Sequence, residues 1–326
     1  MRARDNKQLR SLIQSYHPHD HTHHMGMHMF ALVGLISFGI MSVPVFTESF
    51  TTSSEQQVRT AVAPVPVSTF PPVAIDGRSA IVYDVSTHEI LYAHNATMRL
   101  PLASLTKLVT LYAIATNLSP GETVVISESA LAQDGDSGFT LGEQFTARDL
   151  ERMALVASSN DAAQALAEAG SNKVNTSETS LLASAIASAG LLQTTAQNAT
   201  GLDVNTSLSG GYGSAQDIAT LAGEILTVAP EVAQATTHER VSATSLQGVA
   251  HSLPNTNQSL GPIPSPLLSK TGFTDLAGGN LVVVFDVGIG HPVAVVVLGS
   301  TKEGRFSDVR KLVDTTLTYF APTHHQ

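Results

Sequence analysis

Two long runs of β-branched residues near the end of the chain constrain its fold more than any other sequence feature. The segments GGNLVVVFDVG (278–288) and HPVAVVVLGS (291–300) are separated by a short turn that contains glycine. Strands so continuously apolar are buried on both faces, which requires helices on both sides of their sheet. The segment SAIVYDVSTHEILYAHN (79–95) predicts two further strands around a turn at 85–87.

The stretch between these strand regions predicts mostly helices. Apolar residues recur at helical spacing in the segment 104–118, and alanine-rich helices continue to about Leu192. Thr146 and Asp149 resemble a capping box at the start of one of these helices. Strands at both ends with helices between them predict an α+β fold, with one sheet made from both ends and a helical subdomain inserted in the middle.

An uncharged run, MFALVGLISFGIMSVPVF, occupies residues 29–46. As a helix it spans roughly 27 Å, close to the hydrocarbon thickness of a bilayer. Arginine and lysine precede the run and none follows before Arg59, which places the N-terminus in the cytoplasm. We expect an uncleaved, single-pass signal-anchor in the plasma membrane. The alternative is a cleaved signal peptide, but no A-x-A-like site follows the run.

The segments on either side of this run have biased compositions. Residues 1–28 form a basic tail with six histidines between His17 and His28, which we interpret as a disordered tail rather than a metal site. Residues 47–72 are rich in Ser, Thr and Pro and predict an extended linker. The folded domain is therefore expected at 73–321, on the outer side of the membrane.

Composition excludes several classes of function. The chain has no cysteine, which removes disulfides, zinc-thiolate sites and cysteine nucleophiles together. Its formal net charge of −10 argues against a nucleic-acid partner. The acidic turn DGDSG (134–138) looks like the start of a calcium loop, but Gly138 and Phe145 stand where that loop needs acidic ligands.

A serine and a lysine lie three positions apart at the start of the first predicted helix. On a helix, Ser104 and Lys107 have their Cβ atoms about 5–6 Å apart, so the amine reaches the hydroxyl. A lysine whose pKa is lowered by burial can act as the general base for a serine nucleophile. The pair alone is a weak signal, because an amphipathic helix with a snorkelling lysine has the same pattern.

Two further short motifs follow, and each is also weak alone. Ser158-Ser159-Asn160 falls in a break between helices, where serine and asparagine are favoured as caps. Lys270-Thr271-Gly272 lies at the edge of a predicted strand, where glycine would let a substrate approach the backbone. A plain turn before the strand is the alternative. The three motifs in this order are specific.

With their flanks, these motifs resemble the low-molecular-mass penicillin-binding proteins, the serine D-alanyl-D-alanine carboxypeptidase family. The segments that carry the resemblance are PLASLTKLVT, VASSNDAA, ATGLD, SAQDIATLA, NTN and KTGFTDLAGGNLV, in sequence order. The resemblance covers 73–321. It implies the penicillin-binding-protein and β-lactamase-like transpeptidase fold, an antiparallel sheet flanked by helices with an inserted helical subdomain.

The resemblance also implies catalytic roles. Ser104 would attack the carbonyl of the penultimate D-alanine of a peptidoglycan stem peptide and form an acyl-enzyme. Lys107 would be its general base, and Ser158 would relay a proton to the leaving amine. Asn160 would hold Lys107 and the substrate amide. We expect neither a metal nor another cofactor.

Substrate binding is implied for the third motif. Lys270, Thr271 and Gly272 would bind the terminal carboxylate of a stem peptide that ends in D-Ala-D-Ala. The backbone N–H groups of Ser104 and Phe273 would form the oxyanion hole. β-Lactams mimic this peptide end and are expected to acylate the enzyme and leave slowly.

Three alternatives to a carboxypeptidase stay open. The sequence ends soon after the last predicted helix, without the C-terminal β-domain of many family carboxypeptidases, which favours a D,D-endopeptidase that cuts cross-links. A class A β-lactamase needs a glutamate for deacylation, and Glu168 lies in an ordinary helical pattern. A non-catalytic, membrane-tethered binder of cell-wall peptides is the third. Ser159 stands where the family usually has glycine.

Overall fold

The computed structural model describes residues 69–321, which contain twelve strands and eight α-helices. The strands are β1 (Ser79–Asp84), β2 (Ile90–His94), β3 (Leu100–Pro101), β4 (Thr123–Val125), β5 (Gln144–Thr146), β6 (Thr195–Ala196), β7 (Gly211–Gly213), β8 (Arg240–Thr244), β9 (Ala250–Pro254), β10 (Pro266–Thr274), β11 (Gly278–Asp286) and β12 (Pro292–Ser300). The helices are α1 (Thr106–Ala115), α2 (Glu128–Leu131), α3 (Ala147–Val156), α4 (Asn160–Lys173), α5 (Glu178–Ser188), α6 (Ala215–Val228), α7 (Pro230–Ala235) and α8 (Gly304–Phe320).

The central sheet joins the two ends of the described chain, as the sequence predicts. Its strand order is β10-β11-β12-β1-β2, and every neighbouring pair is antiparallel. Alternate residues of the apolar strands face opposite sides, so Val282 packs toward α6 and Val283 toward α8. Helices on both faces explain why these strands can be apolar at almost every position.

The helices α1 to α5 lie between β2 and the C-terminal strands and form the predicted helical part. Side chains cap several of them: Thr146 accepts a hydrogen bond from the backbone N–H of Asp149 at the start of α3, which confirms the predicted cap. The helices share one apolar core with the inner face of the sheet. The antiparallel sheet with flanking helices and an inserted helical part confirms the expected fold class.

The first described residues pack against the outer face of the sheet. The ring of Phe70, a residue that the sequence assigns to the linker, lies 5.8 Å from that of Tyr92 and 5.5 Å from that of Tyr319, measured between centroids. The backbone N–H groups of Asp76 and Gly77 donate to the buried carboxylate of Asp308. The chain therefore enters the domain beside β2, at one edge of the sheet.

Some sequence-based predictions concern residues outside 69–321. The cytoplasmic tail, the signal-anchor at 29–46 and nearly all of the linker lie outside the described residues. Within the described range, no helix combines the length and the apolarity that crossing a membrane requires.

Candidate active site

Ser104 lies in a tight turn rather than in the first turn of the predicted helix. Residues Ala103–Leu105 form a short 3₁₀ turn, and α1 begins at Thr106. Ala103 has a φ of 49°, a left-handed conformation that costs about 1–3 kcal/mol and tends to occur at functional sites. The serine thus stands at the N-terminal end of the helix, where backbone N–H groups have no helical partner.

Lys107 is buried on α1 and points at three oxygen atoms. Its Nζ lies 3.1 Å from Oγ of Ser104, 2.6 Å from Oδ1 of Asn160 and 2.7 Å from the carbonyl oxygen of Thr200. Only 1% of the residue is exposed. Burial lowers the pKa of Lys107 to about 7, so much of the amine is neutral near neutral pH.

Because the pKa of Lys107 is about 7, its neutral form is populated near neutral pH, and this form can make all three contacts. A neutral lysine has two N–H bonds and one lone pair. The oxygens of Asn160 and Thr200 can only accept hydrogen bonds, so they take the two N–H groups. The lone pair of Lys107 is then left for the hydroxyl proton of Ser104, which is the arrangement of a nucleophile with its general base.

The three residues of the second motif make different hydrogen bonds. Ser159 is the N-cap of α4, because its Oγ accepts the backbone N–H of Ala162. Ser158 has a φ of 59°, and this strained backbone directs its hydroxyl to Nζ of Lys270 at 2.9 Å. The amide of Asn160 accepts from Lys107 and donates to the carbonyl of Asp134. The capping explanation therefore applies to Ser159 and not to Ser158.

The third motif lies within β10, the edge strand of the sheet, and not in a turn before it. Lys270 is 1% exposed and donates to the carbonyl of Thr271 as well as to Ser158. Burial, with the nearby charges of Lys107 and Arg305, lowers the pKa of Lys270 well below its ordinary value. The hydroxyl of Thr271 donates to that of Thr256 at 2.6 Å.

The register of β10 shows which backbone groups face its free edge. The N–H of Ser269 donates to Oγ1 of Thr236, away from β11. Pairing with β11 is regular from Leu268 to Thr274, and backbone N–H groups alternate along a strand. The N–H groups of Thr271 and Phe273 therefore point to the same free edge.

Gly272 is needed for close packing beside the nucleophile. An added Cβ would lie 2.8 Å from the carbonyl oxygen of Leu102, which belongs to the segment that carries Ser104. The sequence suggests that this glycine makes room for substrate. The structure gives a further reason, since the glycine lets β10 approach the turn of the nucleophile.

One charged residue of the site is missed by the sequence analysis. Arg305 is 6% exposed and its Nη1 donates to the carbonyl of Gly272 at 2.7 Å. It lies in the first turn of α8, where the helix dipole disfavours a cation. This unfavourable position of an arginine is the feature of the sequence that could have identified it. In the range 69–321, no carboxylate forms an ion pair with Lys107, Lys270 or Arg305.

Backbone groups complete the site, and no motif identifies them. The carbonyl of Thr200, in the ATGLD segment, holds Lys107. The DGDSG segment is an acidic turn, as expected, because the carboxylate of Asp136 accepts the N–H of Gly138. The same turn also contacts the second motif, since the hydroxyls of Ser137 and Ser159 lie 2.6 Å apart.

Comparison with known proteins identifies the family of the chain. The family model described as D-alanyl-D-alanine carboxypeptidase matches residues 65–302. A Bacillus subtilis D-alanyl-D-alanine carboxypeptidase is 30% identical over 256 residues, which are 76% of this chain and 64% of the relative. A Pseudomonas aeruginosa D-alanyl-D-alanine endopeptidase is 30% identical over 72% of this chain and 75% of the relative.

A solved structure of a penicillin-binding protein has a similar fold. Penicillin-binding protein D2 of Listeria monocytogenes, in its cefotaxime-bound form, is 28% identical with a TM-score of 0.62 over 75% of this chain and 98% of that one. The chain spans just under two thirds of the length of the first curated carboxypeptidases that it matches. The family model covers most of the chain, and the chain belongs to the D-alanyl-D-alanine carboxypeptidase family.

Proposed function

We propose that this protein is a serine D-alanyl-D-alanine carboxypeptidase that trims peptidoglycan stem peptides through an acyl-serine intermediate. The observation that carries the proposal is the contact of Lys107 with Ser104 while two acceptors hold its N–H groups. A buried amine with a pKa of about 7 is matched to general-base catalysis near neutral pH.

Acylation begins at the hydroxyl of Ser104. Its oxygen attacks the carbonyl carbon of the penultimate D-alanine as Lys107 takes the hydroxyl proton. The C–N bond then breaks, and the leaving amine receives a proton through Ser158, which Lys270 holds in place. Water later cleaves the ester and releases the shortened peptide and free Ser104.

Charge stabilisation comes from the free edge of β10 and the start of α1. The N–H groups of Phe273 and Ser104 would bind the oxyanion, and such donors contribute typically 10²–10³ in rate each. Lys270, Thr271 and Gly272 would receive the terminal carboxylate of the substrate. The guanidinium of Arg305 supports this assignment, because it lies beside Gly272 and forms no ion pair within the described range, so that a bound carboxylate would supply the missing anion.

β-Lactams are the expected inhibitors. A family member solved with cefotaxime and with ampicillin supports acylation of Ser104 by the same class of compound here. The class A β-lactamase alternative is not favoured, since Glu168 lies on α4 with Ser129 and Gln164 as hydrogen-bond partners.

The cellular arrangement follows from the sequence. Residues 73–321 would form the catalytic domain outside the plasma membrane, with 29–46 as its single-pass anchor, 47–72 as the linker and 1–28 in the cytoplasm. The N-terminal charge bias supports this orientation.

The test is the intact mass of the full-length protein after incubation with a β-lactam, beside Ser104→Ala. We expect a covalent adduct on the wild type and none on the variant. Release of D-alanine from a peptide ending in D-Ala-D-Ala then establishes the carboxypeptidase. Rapid loss of the adduct would favour a β-lactamase. A folded protein that forms no adduct with several β-lactams would instead be a cell-wall peptide binder.

A further inference from the structure

A pocket away from the catalytic cleft lies among the helices α1, α3, α6 and α7. Its volume is about 110 Å³, well above the roughly 15 Å³ that one water molecule needs. Most of its wall is apolar, and Leu118, Val228 and Val232 are among the residues that form it. No residue of the three catalytic motifs lines it. We name it the Glu151 pocket, after the buried charged residue in its wall.

Glu151 is a buried carboxylate without a partner. The residue is 5% exposed, and its side chain forms no hydrogen bond or ion pair in the part of the chain that the structure describes. Burial raises the pKa of Glu151 to about 7, and the charge of Arg148 opposes this rise only in part. A buried carboxylate is costly to ionise unless a cation or several donors compensate its charge. The pocket therefore lacks a positive charge at this point.

The charged neighbours of Glu151 do not supply that charge. Arg148, one turn earlier on α3, forms an ion pair with Glu231, which also lines the pocket. Arg152 pairs with a carboxylate of its own helix and lines a separate, neighbouring hollow together with His238. The parts of α1 and α6 that line the pocket carry no titratable side chain. The carboxylate of Glu151 is thus free to pair with a ligand.

Two helices end at the pocket and add to its negative character. α1 ends at Ala115 and α6 ends at Val228, and both residues line the wall. The last carbonyl groups of a helix have no helical partner, and this end of the helix carries a partial negative charge. α7 begins at the same place with Pro230, which has no N–H, and with Glu231 in its first turn. These groups all favour a cation over an anion.

We propose that the Glu151 pocket binds a small aliphatic primary ammonium ion, with the ammonium group at the carboxylate of Glu151 and the alkyl chain against the apolar wall. An alkylammonium ion matches both parts of the pocket, since it combines three N–H donors with a hydrocarbon chain. Mg²⁺ and Ca²⁺ need several oxygen ligands, and the described residues contain no group of three side chains that could hold a metal ion. The proposal does not depend on the acyl-serine chemistry.

The experiment titrates the full-length protein with n-butylamine by isothermal calorimetry at pH 8, where Glu151 is mostly ionised. We expect a Kd of about 1 mM, which is typical of a ligand with so few non-hydrogen atoms. n-Butanol has a similar size without the charge and should bind at least tenfold more weakly. Nα-Acetyl-lysine methylamide presents the same alkylammonium group on a peptide backbone. Its affinity relative to butylamine shows whether the pocket takes a lysine side chain or a free amine.

Two variants test charge and space separately. Glu151→Gln keeps the shape of the side chain and removes its charge, whereas Ala115→Leu enlarges a side chain of the wall. We expect each to weaken the binding of butylamine at least tenfold. The matched control is Glu224→Gln, because Glu224 is an exposed glutamate on α6 that does not line the pocket, and it should bind as the wild type does. A cooperative urea transition in each variant establishes that the variant is folded.

The pH dependence connects binding to this carboxylate. Because the ionised form of Glu151 binds the cation, the Kd should fall as the pH rises from 6 to 8 and level off above the pKa of the residue. Butylammonium keeps its proton over this range. Binding at pH 6.5 should release protons, which calorimetry detects in buffers of different ionisation enthalpy, and Glu151→Gln should abolish this release.

The proposal is overturned by any of three results. Absence of binding of both amines to the wild type, at tenfold the expected Kd, would mean that the pocket takes no alkylammonium ion. Equal binding by the wild type and Glu151→Gln, or by the wild type and Ala115→Leu, would place the amine elsewhere. A Kd that does not change with pH would exclude the carboxylate as its partner. Glu151 would then be a buried carboxylic acid with a structural role only.

Discussion

The hydroxyl of Ser158 lies 2.9 Å from Nζ of Lys270, although 112 positions separate the two residues in sequence. The first residue stands in a break between α3 and α4, and the second lies on the edge strand of the sheet. The contact therefore joins the helical part of the molecule to the sheet at the catalytic cleft. Ser158 makes this contact from a backbone with a φ of 59°, in the left-handed region.

Replacing Ser158 separates its backbone role from its chemical role. Ser158→Ala and Ser158→Gly both remove the hydroxyl, and we expect both to slow peptide cleavage by about 10²–10⁴. Glycine adopts a positive φ without strain, so Ser158→Gly should be more stable than Ser158→Ala by about 1 kcal/mol. Urea unfolding and peptide kinetics measure the two effects. Equal free energies of unfolding for the two variants would show that the positive φ at position 158 does not destabilise the protein.

The pH dependence of acylation should report on Lys107. Because burial lowers its pKa to about 7, the rate of acylation by a chromogenic β-lactam should rise as the pH passes through about 7 and level off above it. The base is the deprotonated amine, so the loss of rate lies on the acid side. Lys107→Arg keeps a cation that does not lose its proton, and should lower the rate by more than 10³. A flat profile from pH 5.5 to 9 in the wild type would contradict a lysine base.

Gly272 offers a test of close packing at the nucleophile. Gly272→Ala places a Cβ at 2.8 Å from the carbonyl oxygen of Leu102, which should cost about 1–3 kcal/mol of stability and displace Ser104. We expect acylation by a β-lactam to slow at least tenfold. Gly288→Ala is the control, since no atom lies within 4 Å of its added Cβ. Normal acylation by the Gly272 variant would mean that β10 shifts away without moving the nucleophile.

Arg305 should favour substrates with a free terminal carboxylate. We expect Arg305→Gln to raise KM for a peptide ending in D-Ala-D-Ala and to have less effect on the same peptide with an amidated end. The ratio of kcat/KM for the two peptides measures the contribution of charge apart from any general loss of structure. If both peptides lose activity equally, Arg305 supports the fold of the site through its bond to Gly272 and does not recognise charge.

A buried hydrogen bond between a histidine and a glutamate should matter for stability. Nε2 of His251 lies 2.7 Å from Oε1 of Glu143, and both side chains are almost fully buried. Burial alone would raise the pKa of Glu143, but hydrogen bonds from His251 and Thr140 outweigh it and leave this pKa lowered. His251→Phe should cost about 2–4 kcal/mol at pH 7, because it leaves a buried carboxylate without this partner.

The sign of the pH effect follows from the lowered pKa. The contribution of Glu143 is present above its ordinary pKa of 4.5 and is lost as the pH falls below that value. The stability difference between wild type and His251→Phe should therefore shrink in acid. His291→Phe is the control, because His291 also bonds a buried carboxylate, that of Asp84, but is itself 34% exposed whereas His251 is 7% exposed. Equal costs for the two variants at pH 7 would contradict the role of burial.

Much of the fold was predictable because its strands and helices have strong local patterns. The segments that form β11 and β12 are apolar at nearly every position, and helices cover both faces of their sheet. The start of the first helix was predicted two residues too early, at Ser104 instead of Thr106. Its apolar stripe continues through the turn, and the positive φ of Ala103 has no signature in an alanine.

Most side chains of the candidate site were predictable because each belongs to a short motif. The structure brings Ser104, Lys107, Ser158, Asn160 and Lys270 together, although the roles given to them stay predictions. The carbonyl of Thr200 could not be found in this way, because every residue has one and only tertiary structure selects it. Arg305 belongs to no motif, and its place beside Gly272 depends on how α8 packs on the sheet.

The path of the incoming chain has a mechanical consequence. Phe70 packs beside Tyr92 of β2, at one edge of the sheet, and Lys270 lies on β10 at the opposite edge. Four strand spacings of about 4.8 Å separate these edges. The helix α8 nevertheless connects the two ends of this distance, because Asp308, which accepts the N–H groups of Asp76 and Gly77, lies one turn from Arg305, and Arg305 donates to the carbonyl of Gly272. Tension on the preceding chain would therefore reach the active site through α8 and not across the strands.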